Sequence, residues 1–283
     1  MNINILTNAL EQIKNKLETA ITTATFNNQK KANGLEAKTS LIRSEQLIQE
    51  IHEVVKISLN SALKKAGFNG FSIHPEIGKT SPEKLVWGFL KKKKQDVVVL
   101  FNEPNPEKIT EGPLIGQIDE LGKKTTEKAI VIGVRSQLSS IDKNFDTLME
   151  RTFAESMNLH LRHPKLVLGE VYLLIVREYD EQAMKKNQIK FKDKYTDVEK
   201  FITIFNGMSH RENFKNLNEL YKYESTALLL VDFSQTPVKL YTSLEELKKD
   251  GIVSKQFNQN FNSISPIGFS ERLIKSYKKR HGI

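Results

Sequence analysis

The chain has 283 residues, 39% of them hydrophobic and 27% charged, and it contains no cysteine. That composition is globular rather than disordered, long enough for one large domain or two small ones, and it excludes disulfide staples, thiolate zinc sites and cysteine nucleophiles. Lys and Arg number 43 against 34 acids, a net charge of +9; such a surplus favours a polyanionic partner, although it is also common in lysine-rich proteins with no such partner.

Taken in chain order, residues 3–24 carry apolar positions at Ile3, Leu6, Leu10, Ile13, Leu17 and Ile21, a helical stripe. A polar break at 27–34 precedes a second long helix expected over 35–66, which Gly67 stops. Residues 71–74 read as a short strand ended by Pro75. Asp96 to Phe101 is an apolar strand entered through the basic run Lys91–Lys94. Residues 102–127, with three prolines and three glycines, read as a long excursion before the strand 129–135. A helix is expected over 140–161, with Phe145, Leu148, Phe153, Met157 and Leu161 as its buried stripe, ended by Pro164. The strand 166–176 is the most apolar in the chain, which points to a central position buried on both faces.

Residues 180–197 read as a charged linker, followed by helices over 197–206 and 211–223 and the strand 226–232. Short elements close the chain: a strand over 238–241, a helix from Ser243 and a basic helix from Ser270. The succession predicts an α/β fold, a mixed β-sheet core flanked by helices. Residues 1–70 form a helical N-terminal region that packs on the core or dimerises, and residues 71–283 form the α/β core with C-terminal helical additions. No apolar run approaches the roughly 18 residues of a membrane span, and Met1-Asn2-Ile3-Asn4-Ile5 lacks the start of a signal peptide. The expected compartment is therefore the cytoplasm, without membrane attachment.

The residues that carry chemistry gather around two strands. Asp96 opens the first, and Arg135 leaves the end of the second, followed by the polar segment Ser136-Gln137-Leu138-Ser139-Ser140. Carboxylates on neighbouring strands, about 4.8 Å apart, can share a hard cation such as Mg²⁺. The plainer reading of Asp96 is a polar residue at the start of a strand. For Ser136 and Gln137 it is capping of the following helix. His160 and His163, three apart on a helix, read as a polar helix end rather than a metal site, and Trp87, Phe68, Phe71 and Phe89 as core. No P-loop, Gly-x-Gly-x-x-Gly, Gly-x-Ser-x-Gly or His-Glu-x-x-His occurs.

Lys93-Lys94-Gln95-Asp96-Val97-Val98-Val99 resembles the KKWDLLVV strand of type II restriction endonucleases that cleave CTCGAG, members of the PD-(D/E)xK superfamily. Val134-Arg135-Ser136-Gln137-Leu138-Ser139-Ser140 is similar to their FKSQVGS segment. Asn144-Phe145 and Glu150-Arg151 fall where those enzymes show an Asn-Phe pair and an acidic helix. Leu166 to Leu174 resembles their WLGYLMLL strand, with a weaker echo at Arg211-Glu212 and Leu220-Tyr221. The likeness covers about residues 85–232, in the same order.

The resemblance implies a restriction-endonuclease-like core and a site-specific deoxyribonuclease that hydrolyses double-stranded DNA with Mg²⁺ in restriction-modification defence. A homodimer is expected, because a two-fold protein matches a palindromic site. It assigns Asp96 to metal, but the family's acid-x-Lys triplet falls on Gly133-Val134-Arg135. Glycine binds no metal, and arginine stabilises charge without carrying a proton. Glu150 is the leading replacement acid, with Glu155 behind it and Asp119 and Glu120 as further sources. Glu45, Glu50 and Glu53 could supply an outer group. Lys93, Lys94, Ser136, Gln137, Ser139 and Asn144 are the expected DNA contacts, and 102–127 and 180–196 the expected recognition segments. The missing acid motivates an alternative, a DNA-binding protein with a degenerate, inactive nuclease fold. An RNA-directed or single-strand nuclease fits the same residues.

Overall fold

The computed structural model describes residues 1–283. Its centre is a mixed sheet of six strands: β1 (Ser72–His74), β2 (Val97–Leu100), β3 (Ile130–Gln137), β4 (Val167–Ile175), β5 (Ser225–Asp232) and β6 (Lys239–Tyr241). The strands lie side by side in chain order. β3, β4 and β5 run parallel, while β1–β2, β2–β3 and β5–β6 pair antiparallel. Every residue of β4 and of β5 is buried, as expected of strands covered on both faces.

Helices cover the two faces. α1 (Ile3–Thr23), α2 (Gly34–Arg43) and α3 (Gln49–Lys65) precede the sheet; α4 (Ile141–Arg162) links β3 to β4; α5 (Val198–Gly207) precedes β5; α6 (Phe269–His281) closes the chain. The Asn2 and Asn33 side chains accept from backbone amides in the first turns of α1 and α2, satisfying donors that have no partner within the helix. One hydrophobic cluster of 58 residues runs from Leu6 and Leu59 on the N-terminal helices through Val99, Ile132 and Val171 on the sheet to Phe269 and Leu273 on α6. The N-terminal helices therefore share the core of the sheet. At Gly169 an added Cβ would lie 3.0 Å from both Leu273 and Phe269, so the glycine permits α6 to approach the sheet.

Several expectations from sequence need correction. The helix expected over 35–66 is two helices, broken at residues 44–48, where Glu45 takes φ +61° and Ser44 Oγ donates to the Leu41 carbonyl. The helix expected over 211–223 is mostly irregular, with only a 3₁₀ turn at Leu217–Glu219. Residues 180–197 are not a bare linker: they hold the helix Glu181–Lys185 and the strand Phe191–Tyr195, paired with Arg177–Tyr179. The stripe assigned to α4 is also wrong in part. Phe153 and Leu161 are each 44% exposed, whereas Thr152, Ser156 and His160 are fully buried. The inward face of α4 is polar because it covers a polar part of the sheet.

Candidate active site

That polar part lies where three neighbouring strands meet. Glu170 of β4 pairs with Gly133 of β3. Continuing the Val97–Ile132 pairing by one residue sets Asp96 against Gly133 from the other side. Residues opposite one another share a face, so Asp96, position 133 and Glu170 form one row across the sheet, with α4 above it. The middle member has no side chain, and Glu170 fills the space: a Cβ at Gly133 would lie 2.4 Å from Glu170 Oε2. The acid absent from β3 is thus matched by an acid on β4.

Asp96 stands at a bend just before β2, and its Oδ2 accepts a 2.7 Å bond from the Val134 amide. Arg135, two residues beyond Gly133 and on the same face, donates to two side chains of α4 and forms an ion pair with Glu170 of β4. Its Nη1 bonds Thr152 Oγ1 at 2.5 Å, its Nη2 bonds Glu155, and its Nε lies 3.3 Å from Glu170 Oε1. Lys93 Nζ donates to both Glu155 oxygens at 2.8 and 2.9 Å. Burial raises the Arg135 environment's cost, but Glu170, Glu155 and Asp96 hold its pKa above the ordinary value. Glu155 is held below the usual carboxylate range, because Arg135 and Lys93 outweigh its burial.

Glu170 behaves differently. It is 1% exposed, and burial pushes its pKa up to about 7; Arg135 opposes the rise, while Glu155 and Asp96 add to it. Neither carboxylate oxygen receives a hydrogen bond. A buried carboxylate without donors, next to a second carboxylate, is an arrangement that suits a cation.

Of the row, Asp96 lines a cleft of about 260 Å³ between the α2–α3 break and the end of β3, with Glu45, His52, Arg135, Ser136 and Leu148, while Glu170 is buried and does not line it. His52 is buried there with Nε2 unpartnered; burial lowers its pKa although Asp96 opposes the shift. Glu83 is half-buried, and its pKa is raised by burial and then by Asp96. A second cavity of about 240 Å³ beside it is lined by Lys38, Arg43, Ser139, Ser140 and Asn144 among others. Lys38 lies 5.1 Å from the Tyr179 ring centre, and burial lowers its pKa to about 8.

The residues expected from sequence are divided by this geometry. Asp96, Arg135, Glu155 and Lys93 come together, and Ser136 lines the cleft. Glu150 is exposed on α4 and makes no ion pair or side-chain hydrogen bond. Asp119 accepts from Arg162 at 2.9 Å and Glu120 from Trp87, which occupies both away from Asp96. Glu50 pairs with Lys16 and Glu53 with Lys56. The Gln137 side chain donates to the Ile141 carbonyl and accepts from the Tyr172 hydroxyl inside the protein. Lys94 is exposed; Ser139 and Asn144 line the second cavity. His160 and His163 bond the Leu220 and Trp87 carbonyls and share no ligand.

Sequence reasoning missed Glu170 and His52. For Glu170 a signal existed: a lone acid inside the most apolar strand is expensive unless it has a purpose. Comparisons with protein-family models, curated proteins and solved structures give no match to this chain.

Proposed function

We propose that this protein is a Mg²⁺-dependent deoxyribonuclease with a restriction-endonuclease-like core, acting on double-stranded DNA as a homodimer. The observation that carries the reading is the row Asp96–Gly133–Glu170, in which a glycine where a second acid would stand faces a carboxylate from the next strand. No three acidic or imidazole groups gather into a complete ligand cage, but Mg²⁺ typically takes only one or two carboxylates and keeps several waters. Asp96 and Glu170 would hold the ion, and the donor-free oxygens of Glu170 fit that role. When bound, the ion supplies charge neutralisation at a phosphate and lowers the pKa of a water.

The chain's own groups do the rest. Arg135 is permanently charged and places a fixed cation beside the row, suited to charge that builds on a phosphate. Glu155 and Thr152 hold its guanidinium in place. Lys38, Arg43, Ser139 and Asn144 offer phosphate-binding groups beside the cleft.

One observation favours a second reading, a DNA-binding protein that no longer cuts. Arg135 Nε already lies 3.3 Å from Glu170 Oε1, so a guanidinium stands where a metal would need room. Incubation with phage or plasmid DNA in Mg²⁺ or Mn²⁺ at low salt separates the two. Discrete fragments that disappear in Asp96→Ala, with metal-free binding retained, are expected of the nuclease. Sequence-specific binding without cleavage under either metal would leave the second reading standing.

A further inference from the structure

A further cavity lies away from the cleft. It measures about 570 Å³ and is enclosed by the segment after α5, from His210 to Phe214, and by α6. Arg280 of its wall donates to the Leu166 carbonyl just before β4, and buried Glu224 of its floor directly precedes β5. The cavity therefore sits at the N-terminal ends of the parallel strands, whereas the cleft opens at the C-terminal end of β3.

Its lining is cationic beyond what the local acids balance. Arg211, Arg272, Lys275, Lys279 and Arg280 face Glu212 and Glu224, with His210, whose pKa burial lowers, beside them. Glu224 is fully buried and is shared by Arg211 at 3.3 Å and Arg280 at 2.8 Å. Arg272 has no carboxylate partner: its four bonds go to the Ser225 hydroxyl and to the Ile267, Thr226 and Ser265 carbonyls. Lys275 is exposed and unpaired, and Lys279 reaches Glu212 only at 3.9 Å across exposed ends. Arg211 is 1% exposed, yet its Nε has no hydrogen-bond partner, and neither has His210 Nε2.

A cation withdrawn from water is stable only with a counter-charge or full hydrogen bonding. Here several guanidiniums and a free lysine converge with donors left over and a single hydrophobic residue, Phe214, in the wall. Apolar ligands have little to bind. Planar guanidiniums with a flexible ammonium match the oxygens of a phosphate.

We propose that this cavity binds a phosphate-bearing ligand, a free nucleotide or a phosphorylated nucleic-acid strand end. The inference does not depend on the nuclease reading. It is tested by titrating the full chain with pyrophosphate, and separately with one short oligonucleotide with and without a 5′-phosphate. Binding is followed by calorimetry and by the ring resonances of His210.

Saturable binding that shifts the His210 signals is expected, weakened by about tenfold or more in Lys275→Glu/Lys279→Glu. Both lysines are exposed, so the fold should survive. The charge-matched control Lys185→Glu/Lys186→Glu, at the exposed C-terminal end of the helix Glu181–Lys185 and outside the cavity lining, should bind like the parent. Pyrophosphate binding alone assigns a free nucleotide; tighter binding of the 5′-phosphorylated oligonucleotide, in competition with pyrophosphate, assigns a strand end. Absence of saturable binding by either probe, or equal weakening in both double variants, overturns the proposal.

Discussion

Gly133 and Glu170 are complementary in volume as well as position. A side chain at 133 would drive its Cβ to 2.4 Å from the Glu170 carboxylate, so the two residues behave as alternative places for one acid. Gly133→Asp alone is expected to destabilise the protein by about 1–3 kcal/mol through overpacking. Glu170→Ala alone should abolish cleavage. The double variant should regain most of the stability and some cleavage, which a chemical-unfolding series and a plasmid assay would read; double-variant losses that simply add would break the link. Glu170 also sets a pH dependence. Its pKa lies near 7 in the folded protein against an ordinary 4.5. Between those values the folded chain holds a proton that the unfolded chain has released, so stability is greatest below pH 4.5 and falls as pH rises through 7. The fall amounts to roughly 3 kcal/mol. Glu170→Gln should remove it, leaving a metal-free protein more stable than the parent at pH 8 by thermal unfolding.

Elements with strong local signals were readable before their surroundings were known. The apolar runs of β2, β3, β4 and β5 and the stripe of α1 emerged near their observed bounds, since their side chains face a dry core and their periodicity reports it directly. The errors cluster where that link breaks. α4 turns Thr152, Glu155 and Ser156 inward to serve Arg135 and the Tyr221 carbonyl, so its apolar periodicity points to Phe153 and Leu161, which are substantially exposed. The helix expected over 35–66 breaks at Glu45, whose positive φ no propensity foretold. In the site, Asp96 and Arg135 are legible because each bounds an apolar run, Asp96 opening one and Arg135 closing the other. The partnership of Glu170 with Gly133 is hidden because strand pairing, not sequence distance, brings the two together. A consequence for α4 can be measured: Phe145→Ala, in the core against Phe201, should lose about 3–5 kcal/mol. Leu161→Ala should lose less than about 1 kcal/mol.

At the scale of the whole molecule, the sheet separates two polar regions. A cleft that holds Asp96, Glu45 and Arg135 opens at the C-terminal end of β3, and a cationic cavity lies at the start of β4 and β5. No helix is long and apolar enough to cross a membrane. A net charge of +9 suits a polyanion, and a palindromic DNA site calls for two copies. Light scattering on the complex with duplex DNA is expected to give a protein share of twice the chain mass of 32.4 kDa; one chain per duplex would rule out the dimer. The central claim is that Asp96 and Glu170 together make the metal site. Mn²⁺ binding followed by electron paramagnetic resonance, on the parent, Glu170→Gln and Glu150→Gln, tests it most directly. The parent and Glu150→Gln should bind Mn²⁺ alike, while Glu170→Gln should lose binding by about tenfold or more. Unchanged binding in Glu170→Gln with loss in Glu150→Gln would contradict it.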